Sequence, residues 1–351
     1  MKSVQMSASR LADLIAGFSG ARIAVVGDFF LDKYLDVDPE LGEPSVETGK
    51  VAHQVVGVRC SPGAAGTVVC NLQALGAGQL HAVGFTGDDG EGFDLRKALT
   101  QLDCDTKHLH VSPDRFTPTY LKPRDANVQS LDAEHSRLDT KNRTQTPAVI
   151  ERQIVESLDT LLDTVDAMVV LDQVDVEDSG VITRAVRRAV SQRAQATDRV
   201  VFWADSRRRI HDFPHLTIKP NQFEVMGIEN PMPDDEVSTD ALLPAAKQLR
   251  DNNDAPVVVT RGNRGMLVSD PEWTAVPGVH VAGPIDPTGA GDSATAGAVL
   301  ALCAGAELAE AALVGNLVAS ITIQQINTTG TARPDQLTGR LETWQQQQDK
   351  S

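Results

Sequence analysis

The sequence has 351 residues, 41% hydrophobic and only 4% aromatic, with 48 acidic against 32 basic side chains and a formal net charge of −16. That length buries a substantial core as one large α/β domain or two ordinary ones, and the acidic balance excludes binding a nucleic-acid backbone through excess Lys and Arg. No apolar run reaches the ~20 residues that span a bilayer, so no membrane partner is expected, and Cys60, Cys70, Cys104 and Cys303 lack the spacing of a zinc site or a disulfide framework; reduced, mostly buried thiols in a cytoplasmic protein are expected.

Leu11, Leu14, Ile15 and Phe18 recur at helical spacing and predict an amphipathic helix, interrupted by Arg10 and Asp13 and unlike a signal peptide. The run 22–27 predicts the first buried strand, and Asp28 and Asp32 follow it directly. A carboxylate there accepts paired hydrogen bonds from vicinal hydroxyls, or else caps a helix or joins a salt bridge. Residues 35–59 and 117–139 are polar, β-branched and turn-rich, which predicts two excursions pairing into a small antiparallel sheet that covers a ligand. Further strands are predicted at 167–171, 200–204, 216–219 and 256–260, with helices at 147–162, 179–194, 239–251, 293–304 and 308–325. This alternation predicts an α/β fold with a mostly parallel central sheet covered on both faces. The tail 344–351, with four consecutive glutamines, is expected to fray or to form a loose helix end.

Four segments carry chemistry. Asn221 and Glu224 follow a strand three residues apart, so they either face one ligand across a helical turn or form a capping box. Thr260, Gly262 and Gly265 follow another strand, as a tight hairpin or as a nucleotide contact. Asn316 lies in a helix of small residues and suits a satisfied buried amide equally well. The run from Asp286 through Thr288, Gly289, Ala290 and Gly291 to Asp292 places a glycine loop before a helix with an aspartate at the join. Its converging amides and the helix dipole suit an anion, and Asp292 suits a general base for phosphoryl transfer, although an aspartate there is often only an N-cap.

This last segment, DPTGAGD, resembles the C-terminal signature of the PfkB/ribokinase family of ATP-dependent carbohydrate kinases, and the likeness extends over residues 20–335. It implies a ribokinase-like three-layer sandwich with a small β lid, as one domain over about 1–340 with lid segments at about 35–59 and 117–139 and a tail at 341–351. It implies Asp292 as catalytic base and the 289–292 amides as anion hole. It implies Asn221 and Glu224 near Mg²⁺ and phosphate, the asparagine partly through water, and Thr260, Gly262, Gly265 and Asn316 near ATP. Asp32 becomes a sugar ligand and Asp28 its support; Asp286 and Thr288, with the backbone near Gly330, correspond to a monovalent-cation (K⁺) site of some members. Where the family reads GGxxN this chain reads Gly63-Ala64-Ala65-Gly66-Thr67, so Gly63 and Thr67 stand in the sugar site without the usual amide. Residues 119–124 and 137–139 look most like the heptose-phosphate kinase type, which implies Lys122, Arg124 and Arg137 as ligands of a substrate phosphate. No HxGH run occurs, so the second, nucleotidyltransferase activity of that group is not expected. The resemblance also implies a homodimer through the lid. The alternatives are a nucleoside kinase, which an aromatic lining would favour, and a catalytically silent nucleotide-binding protein, which intact Asp292 opposes. No GxGxxG or Walker loop is present.

Overall fold

The computed structural model describes residues 2–128, 133–232, 235–326 and 329–349. In chain order they form β1 (Lys2–Ser3), α1 (Ala8–Gly17), β2 (Arg22–Gly27), β3 (Phe29–Pro44), β4 (Val51–Ala64), α2 (Ala65–Ala74), β5 (Gln79–Gly87), α3 (Gly90–Gln101), β6 (Cys104–Asp105), β7 (Leu109–Ser112), β8 (Thr119–Asp125) and β9 (Leu138–Thr140). Then follow α4 (Ala148–Leu162), β10 (Ala167–Asp172), α5 (Arg184–Ala196), β11 (Val201–Ser206), β12 (Thr217–Ile218), α6 (Gln222–Met226) and α7 (Thr239–Asn253). The chain closes with β13 (Val258–Thr260), β14 (Met266–Val268), β15 (Thr274–Val276), α8 (Ala290–Cys303), α9 (Leu308–Thr322) and α10 (Pro334–Gln348).

A parallel sheet of order β12-β11-β10-β2-β5-β6, with β7 also on β5, forms the middle layer. Its strands are apolar on both faces. Ile23, Val25, Val169 and Leu171 pack into one core with α1, α2, α8 and α9, whereas Ala24, Val26, Met168 and Val170 pack into another with α4, α5 and α7. Alternating side chains reach both layers, which is why these runs read as continuous hydrophobics. The chain thus has the three-layer α/β architecture expected. Among the described residues no helix is long and apolar enough to cross a membrane.

Four expectations need correction. The strand predicted at 256–260 is reduced to β13, which pairs antiparallel with β14 in a second sheet, β1-β15-β14-β13, and touches the main sheet through two isolated bridges, Ile218 to Val257 and Asn221 to Thr260. The helix predicted from 179 starts only at Arg184, where Thr183 Oγ1 accepts from the Val186 amide at 3.3 Å; the preceding residues are held as a loop. The lid sheet, order β4-β3-β8-β9, is mixed: β3 pairs antiparallel with β4 but parallel with β8, because the chain crosses β5, α3 and β7 before it returns. Part of the second lid excursion, 129–132, lies outside the described residues. The tail is the fourth. Helix α10 runs to Gln348, buries Trp344, and ties its indole N–H to the Pro277 carbonyl at 3.0 Å and Gln345 Nε2 to the Met6 carbonyl at 2.9 Å.

All four cysteines are free, but only Cys104 is fully buried. Burial pushes the Cys70, Cys104 and Cys303 thiols up to about 12, which leaves them protonated and unreactive near neutrality.

Ala64, which replaces the family's second glycine, sits at φ 52° and ψ −116°, a region that a Cβ disfavours. Ala64→Gly is therefore expected to stabilise the fold by about 1 kcal/mol, read as a higher urea midpoint at unchanged m-value.

Candidate active site

The site lies beyond the C-terminal ends of the parallel strands, where open α/β sheets place their ligands. Helix α8 enters it through Gly289, whose left-handed backbone (φ 76°, ψ 6°) turns the chain into the first helical turn. A Cβ on Gly289 would meet Thr67 and Thr329 methyls at 3.4 and 3.5 Å, so Thr67, buried on α2, packs directly against this loop. The Ala290 amide already donates to the Pro287 carbonyl at 3.1 Å. The amides of Gly289, Gly291 and Asp292 have no acceptor among the described residues, which narrows the expected anion hole by one member.

Asp292 stands in the first turn, partly open to solvent. Loss of hydration, reinforced by the nearby Asp205 carboxylate, raises its carboxyl to about 7, while Lys219 and Arg207 pull the other way. A further charged group, Lys219, completes the cluster. It follows β12, is buried, and places Nζ 2.7 Å from Asp205 Oδ2. A Cβ on Gly291 would come 3.4 Å from the same Nζ, so the small loop residue admits the ammonium beside the helix start. Burial alone would lower the Lys219 pKa, but Asp205, Asp292 and Glu224 outweigh it and the pKa is raised. One cation thus serves three carboxylates. Asp205 and Arg207 were also missed; the available signal was an acidic residue ending an apolar strand and a lysine directly after the next one.

Asn221 and Glu224 form the capping box. Asn221 Oδ1 accepts from the Phe223 and Glu224 amides at 2.8 and 2.9 Å, and Glu224 Oε2 accepts from the Asn221 amide at 2.7 Å. Both lone pairs of the Asn221 oxygen are used in the box, and its NH₂, a donor, is left over. Glu224 keeps Oε1 outside the box, and burial, with Asp205 adding to it, raises this carboxyl to about 7. Thr260 is brought beside Asn221 by a parallel bridge, with its amide on the Pro220 carbonyl at 2.9 Å. Gly262 and Gly265, both at positive φ, close the β13–β14 hairpin. Asn316 is a satisfied amide whose Nδ2 donates to the Val276 and Pro277 carbonyls at 3.2 Å each. Asp286 is buried, with Oδ1 accepting from the Thr288 amide at 3.0 Å and its own amide on the Ile323 carbonyl at 2.8 Å; Thr288 is exposed.

At the lid end, Asp32 is buried against Lys122, whose Nζ is 3.0 Å from Oδ1. Gly63 makes room for this carboxylate, since a Cβ there would lie 2.7 Å from Oδ2. Lys122 also reaches the Tyr34 hydroxyl at 3.3 Å and lies over its ring. Arg124 leans on Asp36 at 3.7 Å, and Arg137 holds Asp139 bidentately at 2.7 and 3.0 Å over the Tyr120 ring. The expected phosphate ligands are therefore engaged within the lid sheet. Asp28 differs from its expected role as well. Its Oδ2 accepts from the Gln173 and Val174 amides at 2.9 and 3.2 Å and its Oδ1 from Val181 at 2.7 Å, so its carboxylate holds the 173–181 loop. Arg209 grips the same loop from below through Asp172, at 2.7 and 3.0 Å, and through the Val174 carbonyl.

Comparison with known proteins bears on the family and the fold. The model for the pfkB family of carbohydrate kinases matches residues 21–335. The bifunctional protein HldE of Gluconobacter oxydans is 28% identical over 329 residues, which cover 92% of this chain and 65% of that protein; HldE of Caulobacter sp. strain K31 is 29% identical over 334 residues, 91% of this chain and 62% of that one. The chain thus spans somewhat under two thirds of the length of these relatives. Among solved structures, a putative phosphofructokinase from Staphylococcus aureus superposes with a TM-score of 0.67 at 16% identity, covering 92% of this chain and 96% of that one. Arabidopsis thaliana ribokinase complexed with ribose and ATP gives 0.64 at 15% identity, with 92% and 99% covered.

Proposed function

The chain belongs to the pfkB family of carbohydrate kinases, and from that premise we propose that it transfers the γ-phosphoryl group of ATP directly to a hydroxyl of a sugar or sugar phosphate, with Asp292 as the general base. The observation that carries this reading is Asp292 itself: a carboxyl raised to about 7, at a helix start with free amides, beside a buried lysine.

Asp32 accepts hydrogen bonds from the sugar and orients one hydroxyl toward Asp292. Asp292 takes the hydroxyl proton as the oxygen attacks the γ-phosphorus; the new O–P bond forms, the bond to the bridging oxygen breaks, and ADP leaves. The Gly289, Gly291 and Asp292 amides and the Lys219 ammonium hold charge on the transferred group. Asn221 offers its NH₂ to a phosphate oxygen, and the Thr260 hairpin flanks the nucleotide. Magnesium suits Glu224 Oε1, since it takes few protein oxygens and keeps water and phosphate ligands; when bound it neutralises charge on the ATP phosphates. Asp286, one oxygen still unused, would hold a monovalent cation, with Thr288 next to it.

The test is ADP production from ATP and Mg²⁺ over sugars, sugar phosphates, sugar acids and nucleosides, in K⁺ and in Na⁺, with Asp292→Asn as control. Acceptor-dependent ADP lost in the variant supports the kinase. Absence of ATP binding sinks it.

The lid also supports a homodimer. Register places Val55, Val58 and Leu138 on the face opposite Asp32, and all three are largely exposed. Pairing two such faces would remove this apolar surface from water. Val58→Asp is expected to weaken the dimer roughly 100-fold, measured by light scattering across a dilution series; a monomer in the unaltered chain would refute the pairing.

A further inference from the structure

Helix α5 carries a wholly polar stripe. Arg184, Arg187, Arg188, Ser191, Gln192 and Gln195 recur at helical spacing on one face, and with the 211–215 segment they line a groove of about 600 Å³. Pro214 is the single apolar member of that lining, so the groove offers no surface to an aromatic ring or an acyl chain. It shares no residue with the catalytic cleft, and touches it where His211 Nε2 lies 3.2 Å from the Glu224 carbonyl.

Two groups of the groove are buried without the partners that burial requires. The Arg187 side chain is only 5% exposed. Its Nη1 donates to the Ile182 carbonyl at 3.2 Å, while among the described residues Nε and Nη2 have no acceptor within hydrogen-bond distance. The carboxylates it faces, Glu177 at 3.7 Å and Asp212 at 3.9 Å, are both more than half exposed, and Glu177 gives its close contact to Arg184 instead, at 2.6 Å. The Ser191 hydroxyl, one turn further along α5, is buried with no partner. A buried guanidinium is ordinarily held by close and complete hydrogen bonding, and a buried hydroxyl by at least one bond. Arg188, exposed at the rim, has no acidic partner among the described residues. In a chain of net charge −16, a place that gathers three guanidiniums and leaves their donors unpaired selects for an anion.

We infer that the α5 groove is a second ligand site, separate from the catalytic cleft, for a phosphate monoester of a polar, hydroxylated small molecule. Nε and Nη2 of Arg187 form the two-pronged edge that meets two phosphate oxygens at once. Arg184 and Arg188 flank it on the same face, and the Ser191 hydroxyl lies beneath it. The amides of Gln192 and Gln195 continue the stripe, which runs ~10 Å beyond Arg188 at the helical rise, room for a body whose hydroxyls they can pair. Glu177 and Asp212 are the competing anions, and the ligand displaces Glu177 from the guanidiniums when it binds. None of this depends on the kinase reading.

Calorimetric titration at fixed ionic strength tests the site, with glycerol 3-phosphate as probe, inorganic phosphate and glycerol as its two halves, and Mg²⁺ with a non-hydrolysable ATP analogue present to occupy the cleft. Glycerol 3-phosphate should bind with a Kd below about 1 mM, inorganic phosphate more weakly and glycerol not at all. Arg188→Glu, a change at an exposed position, should weaken the ester at least about tenfold with an unchanged urea midpoint, and Arg187→Gln about 100-fold. Glu177→Gln removes the competing carboxylate and should tighten binding about threefold, a gain that a damaged fold cannot produce. Affinity unmoved by both Arg188→Glu and Glu177→Gln would put the anion elsewhere on the protein and overturn the inference, as would the absence of saturable binding up to about 10 mM. Inorganic phosphate binding as tightly as the ester would overturn the part given to Gln192 and Gln195. ADP production enters none of these outcomes, so failure of the kinase leaves the groove standing and failure of the groove leaves the kinase standing.

Discussion

Asp292→Asn should lower kcat/KM roughly 10²–10⁴-fold, the usual contribution of a positioned general base, while ATP affinity changes little. The amide keeps the size of the carboxylate and leaves the free backbone amides of the helix start in place, so an effect on kcat with nucleotide binding intact separates proton removal from anion binding. The pH dependence of the unaltered enzyme carries the same information. A base works only when ionised, and burial beside Asp205 raises this carboxyl to about 7. Activity should therefore rise with pH through about 7 with unit slope, and be lost below it. In Asp292→Asn that limb should vanish from the residual rate. A flat profile between pH 6 and 8 in the unaltered enzyme would remove Asp292 as the base.

Lys219→Met should be costly twice over. Its ammonium is buried, 2.7 Å from Asp205, and the same charge offsets Asp292 and Glu224. Removing one partner of a buried pair typically costs roughly 3–5 kcal/mol, because the remaining charge is stranded, and the variant should unfold at a correspondingly lower urea concentration. Methionine fills much the same volume, so the loss reports charge rather than a cavity. The second effect is on the pH profile. Without the cation the Asp292 carboxyl rises further above its ordinary range, so the acid limb of activity should move to higher pH, whereas Lys219→Arg should restore part of the charge and return the limb toward its place. A variant of unchanged stability with an unmoved limb would show that Lys219 acts neither as counter-ion nor as phosphate ligand.

The two residues illustrate different limits of sequence reading. The place of Asp292 was legible because the conformational demand is local: two glycines, a helix start and a carboxylate lie within a few residues, and the helix forms there. Lys219 was not, since its role depends on Asp205 from the neighbouring strand and on the absence of a side chain at Gly291, which no spacing within one segment reveals. Asn221 and Glu224 stand between these cases. Their three-residue spacing was read both as a capping box and as a ligand pair, and the box forms, with the asparagine oxygen accepting two backbone amides.

By itself the sequence determined the layered α/β architecture, the parallel strands and the glycine loop that opens α8, all of which follow from periodicity and from backbone freedom at particular residues. Tertiary structure alone decided the mixed pairing of the lid, the packing of α10 under Trp344, and the diversion of Asp28 to the 173–181 loop. It also decided the engagement of Lys122, Arg124 and Arg137 with lid carboxylates. The physical reason is common to these: a charged or polar side chain takes whichever partner lies nearest in space, and partners brought together from distant segments leave no trace in local pattern.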